Sequence, residues 1–400
     1  MNISIIIPAY NSGESLQHTL EGVSQQTLLP QEVIIIDSSS TCDVRDVCNH
    51  WQEALPIRYK KVDLAFPGHA RNIGVRMSKG EWLGFLDCKT IPHAKWLETS
   101  IAKAQESESE MVTGLTEFDY GTTSFQKILW AVSYGSKAYR TLPGTIILKE
   151  SFHKCGNFIA NVRAGEDLEW ISRAEADGLR LTTHALPLIT YMGLSESFWE
   201  TINKYYSYAK AAALINVRTA HKRLYLLFVL IFLTLLVTNW NAVFAGWKQS
   251  NDLYIAHISK IYLGILIVLY LSFLLIKHHK RLNRELDLFK KAYLFTVFIL
   301  LSGVIYKWND VFTGWNLVDD QYVSNITTLY LLSLTVIIFL FRGIVKPIRN
   351  SVEASYLFPW RWIAVGLVGL TLDIVKTPGY VWGAILEIKN LLVNKFKRRK

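Results

Sequence analysis

Four apolar runs dominate the second half of the chain, at residues 224–240, 261–276, 292–308 and 327–341. Each holds 15 to 17 residues. With its Tyr and Trp flanks each reaches about 20, enough as helix to cross ~30 Å of hydrocarbon. Basic residues alternate around them. Arg218, His221, Lys222 and Arg223 precede the first run. Lys277, Lys280, Arg281, Arg284, Lys290 and Lys291 lie between the second and third, and Arg342, Lys346 and Arg349 follow the fourth. The other two loops carry only Lys248 with Lys260, and Lys307. Because basic loops stay on the cytoplasmic side, this pattern predicts four crossings with the N-terminal part of the chain in the cytoplasm.

The same segregation explains a net charge of +10 over 400 residues. Residues 1–216 balance at −4 and residues 217–400 at +14, so the whole excess lies in the apolar half. It reads as membrane topology and not as a nucleic-acid footprint, and no nucleic-acid partner is expected. With 50% apolar and 19% charged residues, disorder and a coiled coil are both excluded. Cys42, Cys48, Cys88 and Cys155 all lie in the acidic half without a CxxC spacing, as expected of reduced thiols in a cytosolic domain. The opening Met1-Asn2 runs straight into a short apolar strand, with neither the basic region nor the length of a signal peptide.

The membrane half contains a repeat. Residues 221–276 align with 289–344 without gaps, with 21 identities in 56 positions. Trp240, Asn241, Val243, Phe244, Gly246 and Trp247 match Trp308, Asn309, Val311, Phe312, Gly314 and Trp315 in register. Apolar composition alone does not align Trp, Asn and Gly, so a duplicated helical hairpin is expected. A fifth apolar stretch, 362–375, is only 14 residues long and is broken by Asp373 and Pro378. It is expected as a re-entrant or interfacial segment that leaves the basic tail of Lys395, Lys397, Arg398, Arg399 and Lys400 in the cytoplasm.

The first 190 residues alternate short buried strands (3–8, 32–37, 82–87) with helical stretches (15–25, 72–77). Strand, helix, strand implies a parallel sheet with right-handed crossovers, whose ligands sit beyond the carboxyl ends of the strands. The polar segments there are Ala9-Tyr10-Asn11, Asp37-Ser38-Ser39-Ser40 and Asp87-Cys88-Lys89.

Several motifs in order over residues 3–180 resemble family 2 glycosyltransferases of the GT-A fold. They are Ile5-Ile6-Ile7-Pro8-Ala9-Tyr10-Asn11 with Leu20, Gln25 and Thr27; the strand ending Ile36-Asp37-Ser38-Ser39-Ser40-Thr41; Ala70-Arg71-Asn72-Ile73-Gly74; Gly80-Glu81-Trp82 through Asp87; Leu142-Pro143-Gly144; and Gly165-Glu166-Asp167-Leu168-Glu169. The resemblance implies an α/β, Rossmann-like GT-A domain over 1–197. It is followed by a juxtamembrane helix (198–223, with Tyr205, Tyr206 and Tyr208), two repeated hairpins (224–344) forming an all-α transmembrane domain of about four helices, and the 345–400 segment.

It also implies roles. Pro8, Tyr10, Asn11, Asp37, Arg71, Asp87 and Lys89 would bind the nucleotide-sugar, with Asp37 at the base and the Arg71 fork at the diphosphate. Leu142, Pro143, Gly144 and Glu166 would face the acceptor. Asp167 would be the general base that deprotonates the acceptor hydroxyl during inversion. Each has a plainer alternative: a helix cap by the Asp37-Ser38-Ser39-Ser40 run, a surface ion pair for Arg71, and a helix-dipole role for Glu166 and Asp167.

One departure matters. The family has Asp-x-Asp holding a divalent ion, and here Lys89 stands at the second acid. Mg²⁺ or Mn²⁺ on Asp87 is therefore in doubt, and the Lys89 ammonium could neutralise the diphosphate instead. The Gln-x-x-Arg-Trp motif of processive synthases is missing after Asp167, which favours single transfers. His69 and His184 have no second ligand at metal spacing. The expected activity is an inverting transfer to a polyprenyl-linked or polyprenyl phosphate acceptor in cell-surface glycan assembly. The alternative is a non-catalytic membrane scaffold with a degenerate site.

Overall fold

The computed structural model describes residues 2–215 and 335–397. The repeat and the four expected crossings lie outside the described residues, apart from a helical 335–340 and a π-helical turn, Phe341–Val345, at the end of the fourth run.

Nine strands form one sheet: β1 (Ile3–Ala9), β2 (Glu32–Asp37), β3 (Ile57–Lys61), β4 (Trp82–Phe85), β5 (Thr90–Pro92), β6 (Met111–Phe118), β7 (Tyr139–Leu148), β8 (Leu181–Thr183) and β9 (Ile189–Tyr191). Their order is β3-β2-β1-β4-β7-β6-β9-β5, with β8 also paired to β6. The first four strands are mutually parallel, as the strand–helix alternation predicts. Beyond β4 the sheet is mixed, because β7 runs antiparallel to both β4 and β6, and β5 antiparallel to β9. The purely parallel expectation is corrected there: the segments joining β6 to β7 and β4 to β5 do not carry the chain back across a sheet face in the same sense.

Alternation along β1 explains its four isoleucines, interrupted only by the buried Ser4, whose hydroxyl donates to Glu32 (2.6 Å). Ile3, Ile5 and Ile7 pack with Leu16, Leu20 and Val23 of α1 (Gly13–Ser24), while Ile6 faces Val75, Phe85 and Trp170 on the other side. Both faces of the strand are covered, so the strand needs no alternation of polar with apolar residues. In register, Ala9 pairs with Asp37 and Ile6 with Phe85, which brings the ends of β1, β2 and β4 to one edge.

Two features of α3 (Pro67–Met77) fix what lies beneath that edge. At Gly74 a Cβ would come within 2.5 Å of Ile6 Cγ2, so only glycine lets the helix lie this close to β1. Arg71, three residues earlier on the same face, is carried under the sheet edge.

The C-terminal segment builds onto this domain. Helix α8 (Phe198–Leu214) lies along the long helix α9 (Arg361–Lys397). The contact is close because Gly379 and Gly383 of α9 sit against the Tyr206 and Lys210 carbonyls, where a Cβ would come to 2.5 and 2.4 Å. Spacing of four puts both glycines on one helix face, the arrangement that brings backbones together. Leu129 and Val132 of α5 (Ser124–Ser133) pack with Val352, Leu357, Val365 and Leu372. Residues 345–400, expected as a segment separate from the N-terminal domain, thus share one compact unit with it. The expected 198–223 helix ends at Leu214, and Ile215 is extended.

Asp373 and Pro378 do not break the apolar stretch, contrary to the sequence expectation: α9 runs through both. Asp373 is fully buried and chelated by the Arg342 guanidinium, with Lys376 Nζ 3.6 Å away. The charge that should interrupt an apolar helix is neutralised by a neighbour from the end of the fourth run. Among the described residues, Arg361–Gly383 is long and apolar enough to cross a membrane. Replacing Asp373 by Ala strands the buried Arg342, and thermal unfolding in detergent should report a loss of about 3–5 kcal/mol. The double replacement of Arg342 and Asp373 by Leu should recover most of it.

Candidate functional site

The site begins where β1 and β2 end. Asn11 takes a left-handed φ of 46° and turns the chain so that its N–H donates to Ser39 Oγ (2.7 Å), while its Oδ1 accepts from the Ser40 N–H (2.9 Å). Asparagine tolerates this backbone better than most residues. These bonds tie the two loops into one rim. Below it, Asp37 is fully buried, accepting from the Ser39 N–H (2.8 Å), Tyr59 Oη (2.7 Å) and Lys61 Nζ (3.1 Å). Burial alone would push the Asp37 carboxyl up. The bonds from Ser39, Tyr59 and Lys61 outweigh it and hold the group below the usual carboxylate range. Above it opens a cavity of about 550 Å³, lined by Tyr10, Ser38, Ser39, Ser40, Lys61 and Leu64 among others. Tyr10 is exposed at its edge, whereas Pro8 stays in the strand, its carbonyl accepting from Cys88 Sγ (3.3 Å).

The second part lies at the end of β4. The alternation of Asp87-Cys88-Lys89 sends Asp87 and Lys89 outward and Cys88 into the core, where burial pushes the thiol up to about 12. Asp87 Oδ1 accepts from Arg71 Nη2 (2.6 Å), and Arg71 Nη1 donates to Glu166 Oε1 (2.7 Å). Arg71 is 3% exposed. Its fork, expected at a diphosphate, is therefore occupied by two carboxylates, and it reaches a ligand only through them. Its Nε is buried without a partner. Burial opposes the charge on Arg71, but the carboxylates of Asp87, Glu166 and Asp167 prevail and raise its pKa further.

Glu166 and Asp167 open α7 (Glu166–Ala176) after Gly165, whose φ of 89° reverses the chain. Consecutive helical residues point about 100° apart, so one turns in and its neighbour out. Glu166 turns in. It is buried on Arg71, and burial pushes its carboxyl up against the pull of that guanidinium, with a further push from Asp167. The expected acceptor role for Glu166 is corrected on this geometry. Asp167 stays half-buried, and its carboxylate hydrogen-bonds to no side chain among the described residues. It is the acid left open to a ligand.

Leu142, Pro143 and Gly144, expected as an acceptor-side loop, lie instead inside β7 and are buried. Gly144 has φ 85°, its carbonyl accepts from Trp96 Nε1 (2.8 Å), and the β6–β7 register shifts beside it. A Cβ on Gly114 would meet the Pro143 carbonyl at 2.0 Å. The motif is a packed β-bulge. His184 is nearly buried on Ser100 Oγ (3.0 Å), and His69 is exposed on α3.

Sequence reading missed the roof of the site. Helix α8 crosses the acids. Ile215 Cδ1 would lie 2.7 Å from a Cβ on Gly165, Lys204 Nζ reaches to 3.5 Å from the Gly193 carbonyl, and Tyr208 stands in the fields of Asp87 and Glu166. Lys204 and Tyr208 are four apart on one helix face, with the ammonium 5.9 Å from the ring centre. That spacing is the signal that could have found them.

A divalent ion does not fit the donor set. Asp87 offers one free oxygen, Lys89 puts an ammonium at the place of the second acid, and no cluster of three acids, histidines or cysteines stands anywhere among the described residues.

Residues 4–164 match the sequence model of Glycosyl transferase family 2. Over these residues the chain is similar to family 2 glycosyltransferases. Relatives include the glycosyltransferase AglE of Haloferax volcanii, 27% identical over 196 residues. The match covers 45% of this chain and 63% of AglE. The poly(ribitol-phosphate) β-N-acetylglucosaminyltransferase TarP of Staphylococcus aureus is 30% identical over 116 residues, 28% of this chain and 36% of TarP. The chain thus spans less than two thirds of the length of these relatives. A crystal structure of S. aureus TarS 1–349 with UDP-GlcNAc superposes with a TM-score of 0.42 at 17% identity, over 56% of this chain and 70% of that one.

In this domain the bridge is the element most open to test. Arg71→Met leaves Glu166 and Asp87 without their counter-charge, and chemical denaturation should give a loss of about 3–5 kcal/mol. Glu166→Gln, which keeps the shape and one acceptor, should lose less.

Proposed function

We propose that the chain is an inverting glycosyltransferase that moves a sugar from a nucleotide-sugar to an acceptor presented at a membrane. The observation that carries this reading is the pairing of an open acid with a closed one. Asp167 is free at the ligand edge while Glu166 and Asp87 are locked by Arg71, beside a cavity of nucleoside size. The base would sit in that cavity against Tyr10 and above Asp37, with Ser38, Ser39 and Ser40 offering hydroxyls and N–H groups. The diphosphate would then extend toward Lys89. Asp167 takes the proton of the acceptor hydroxyl as its oxygen forms the new bond to the anomeric carbon. The bond from that carbon to the diphosphate oxygen breaks, and the electron pair leaves with the diphosphate. Lys89 neutralises that leaving charge in place of a metal.

A membrane-bound acceptor, either a polyprenyl-linked glycan whose hydroxyl Asp167 would deprotonate or a polyprenyl phosphate whose ionised oxygen would attack without a base, is supported by α9. Its apolar stretch starts beside the exposed Phe358 and Trp360, residues suited to a lipid–water interface, and it belongs to the same compact unit as the site. The competing reading, a scaffold with a retired site, draws on the loss of the second acid at Lys89.

Three measurements decide. Thermal stabilisation by UDP, GDP or dTDP is expected from at least one; no response to any favours the scaffold. With the responding donor, Asp167→Asn should lower kcat by about 10²–10⁴ while leaving nucleotide affinity within about twofold. Unchanged turnover removes Asp167 from the role of base. Transfer should continue in EDTA. Complete loss, restored by Mg²⁺ or Mn²⁺, overturns the lysine-for-metal assignment.

A further inference from the structure

We propose that Lys204 of α8, outside the family-matched residues 4–164, is a second diphosphate-binding cation that works as a pair with Lys89. The proposal rests on the nucleotide-sugar reading above and deepens it.

Three observations carry it. First, the two lysines converge on one short segment. The Met192 N–H donates to the Lys89 carbonyl (2.9 Å), and a Cβ on Gly193 would lie 2.4 Å from Lys89 Cδ. Lys204 Nζ stands 3.5 Å from the Gly193 carbonyl. Glycine at 193 is what lets the Lys89 stem pass.

Second, neither ammonium is neutralised. Among the described residues no carboxylate is paired with either nitrogen, and a third cation, Arg163, opposes the charge on Lys204. Asp87, the nearest acid to Lys89 in sequence, is already bonded to Arg71. Of the described charged and titratable groups around Lys204, Lys89 and Arg163 oppose its charge and Glu200 favours it, while Tyr208 presents its ring. Burial, then Lys89, brings the Lys204 ammonium down to about 8. A partly buried cation facing two others is unfavourable unless an anion completes it.

Third, the cluster adjoins the acids, because Tyr208 of the same helix lies in the fields of Asp87 and Glu166. Two compact ammonium groups, one from the sheet edge and one from the roof, suit the two phosphates of a diphosphate. Their position at the altered acid motif points to the donor's diphosphate in preference to that of a polyprenyl diphosphate.

The test uses the full chain in detergent, with binding followed by calorimetry and stability by thermal unfolding. The probes are UDP, GDP, dTDP, inorganic pyrophosphate and farnesyl diphosphate. Lys204→Met should weaken the responding nucleoside diphosphate and pyrophosphate about tenfold or more, while Lys204→Arg keeps most of the affinity. Without ligand, Lys204→Met should melt no lower than the wild type, because an unpaired cation has been removed; a purely structural lysine would move melting and not affinity. Equal affinity of Lys204→Met and wild type overturns the proposal and leaves the nucleotide-sugar reading intact. Binding of pyrophosphate but of no nucleotide, still dependent on Lys204, keeps the cation pair and defeats the nucleotide-sugar reading. Dependence on Lys204 for farnesyl diphosphate alone overturns the assignment to the donor, and no binding of any probe overturns both.

Discussion

One buried guanidinium holds the candidate site together. Arg71 donates to Asp87 on the sheet edge and to Glu166 in the first turn of α7, two elements far apart in sequence. Without it, three carboxylates (Asp87, Glu166 and Asp167) would converge at one edge and repel. With it, two of them are fixed and the third is left open. The arrangement depends on packing that has nothing to do with charge. Gly74 lets α3 settle onto β1, and at Gly68 a Cβ would come within 2.4 Å of the Ile159 carbonyl. A larger residue at either position would lift α3 and move the guanidinium away from both acids. The orphaned Nε of Arg71 shows that position has been favoured over complete hydrogen bonding.

Helix α8 links this site to the apolar part of the described structure through two faces. Tyr206, Lys210 and Ala213 lie against the glycines of α9, while Lys204 reaches the Gly193 carbonyl, Tyr208 lies in the fields of Asp87 and Glu166, and the following Ile215 packs at Gly165. The two sets are interleaved at helical spacing, about 100° per residue apart. A rigid helix with one face on α9 and the other on the site ties their relative positions.

Much of the fold was legible because its signals are local. The isoleucine-rich β1 and the apolar β2 announce strands covered on both faces, and the motif at residues 165–167 announces a turn into a helix. What could not be read depends on contacts distant in sequence. The Arg71 fork looked free because its partners sit 16 and 95 residues away. Leu142-Pro143-Gly144 looked like a loop because proline and glycine are loop residues. Yet the bulge where Gly114 meets the Pro143 carbonyl uses the same residues inside a sheet. Asp373 looked like a helix breaker because its partner Arg342 lies beyond any sequence window.

The altered acid motif and the engaged arginine are two aspects of one charge balance. A divalent ion needs carboxylate oxygens left free, and Asp87 has one of its two on Arg71. A second acid at position 89 would place another negative charge beside Glu166 and Asp167, which already share a single buried cation. A lysine there gives the opposite balance. The acids are neutralised from below by Arg71, and the upper edge carries Lys89, with Arg163 and Lys204 nearby. Such an edge attracts a polyanion and discourages a metal ion. Substitution at one position of the motif is thus consistent with the placement of every other charge around it.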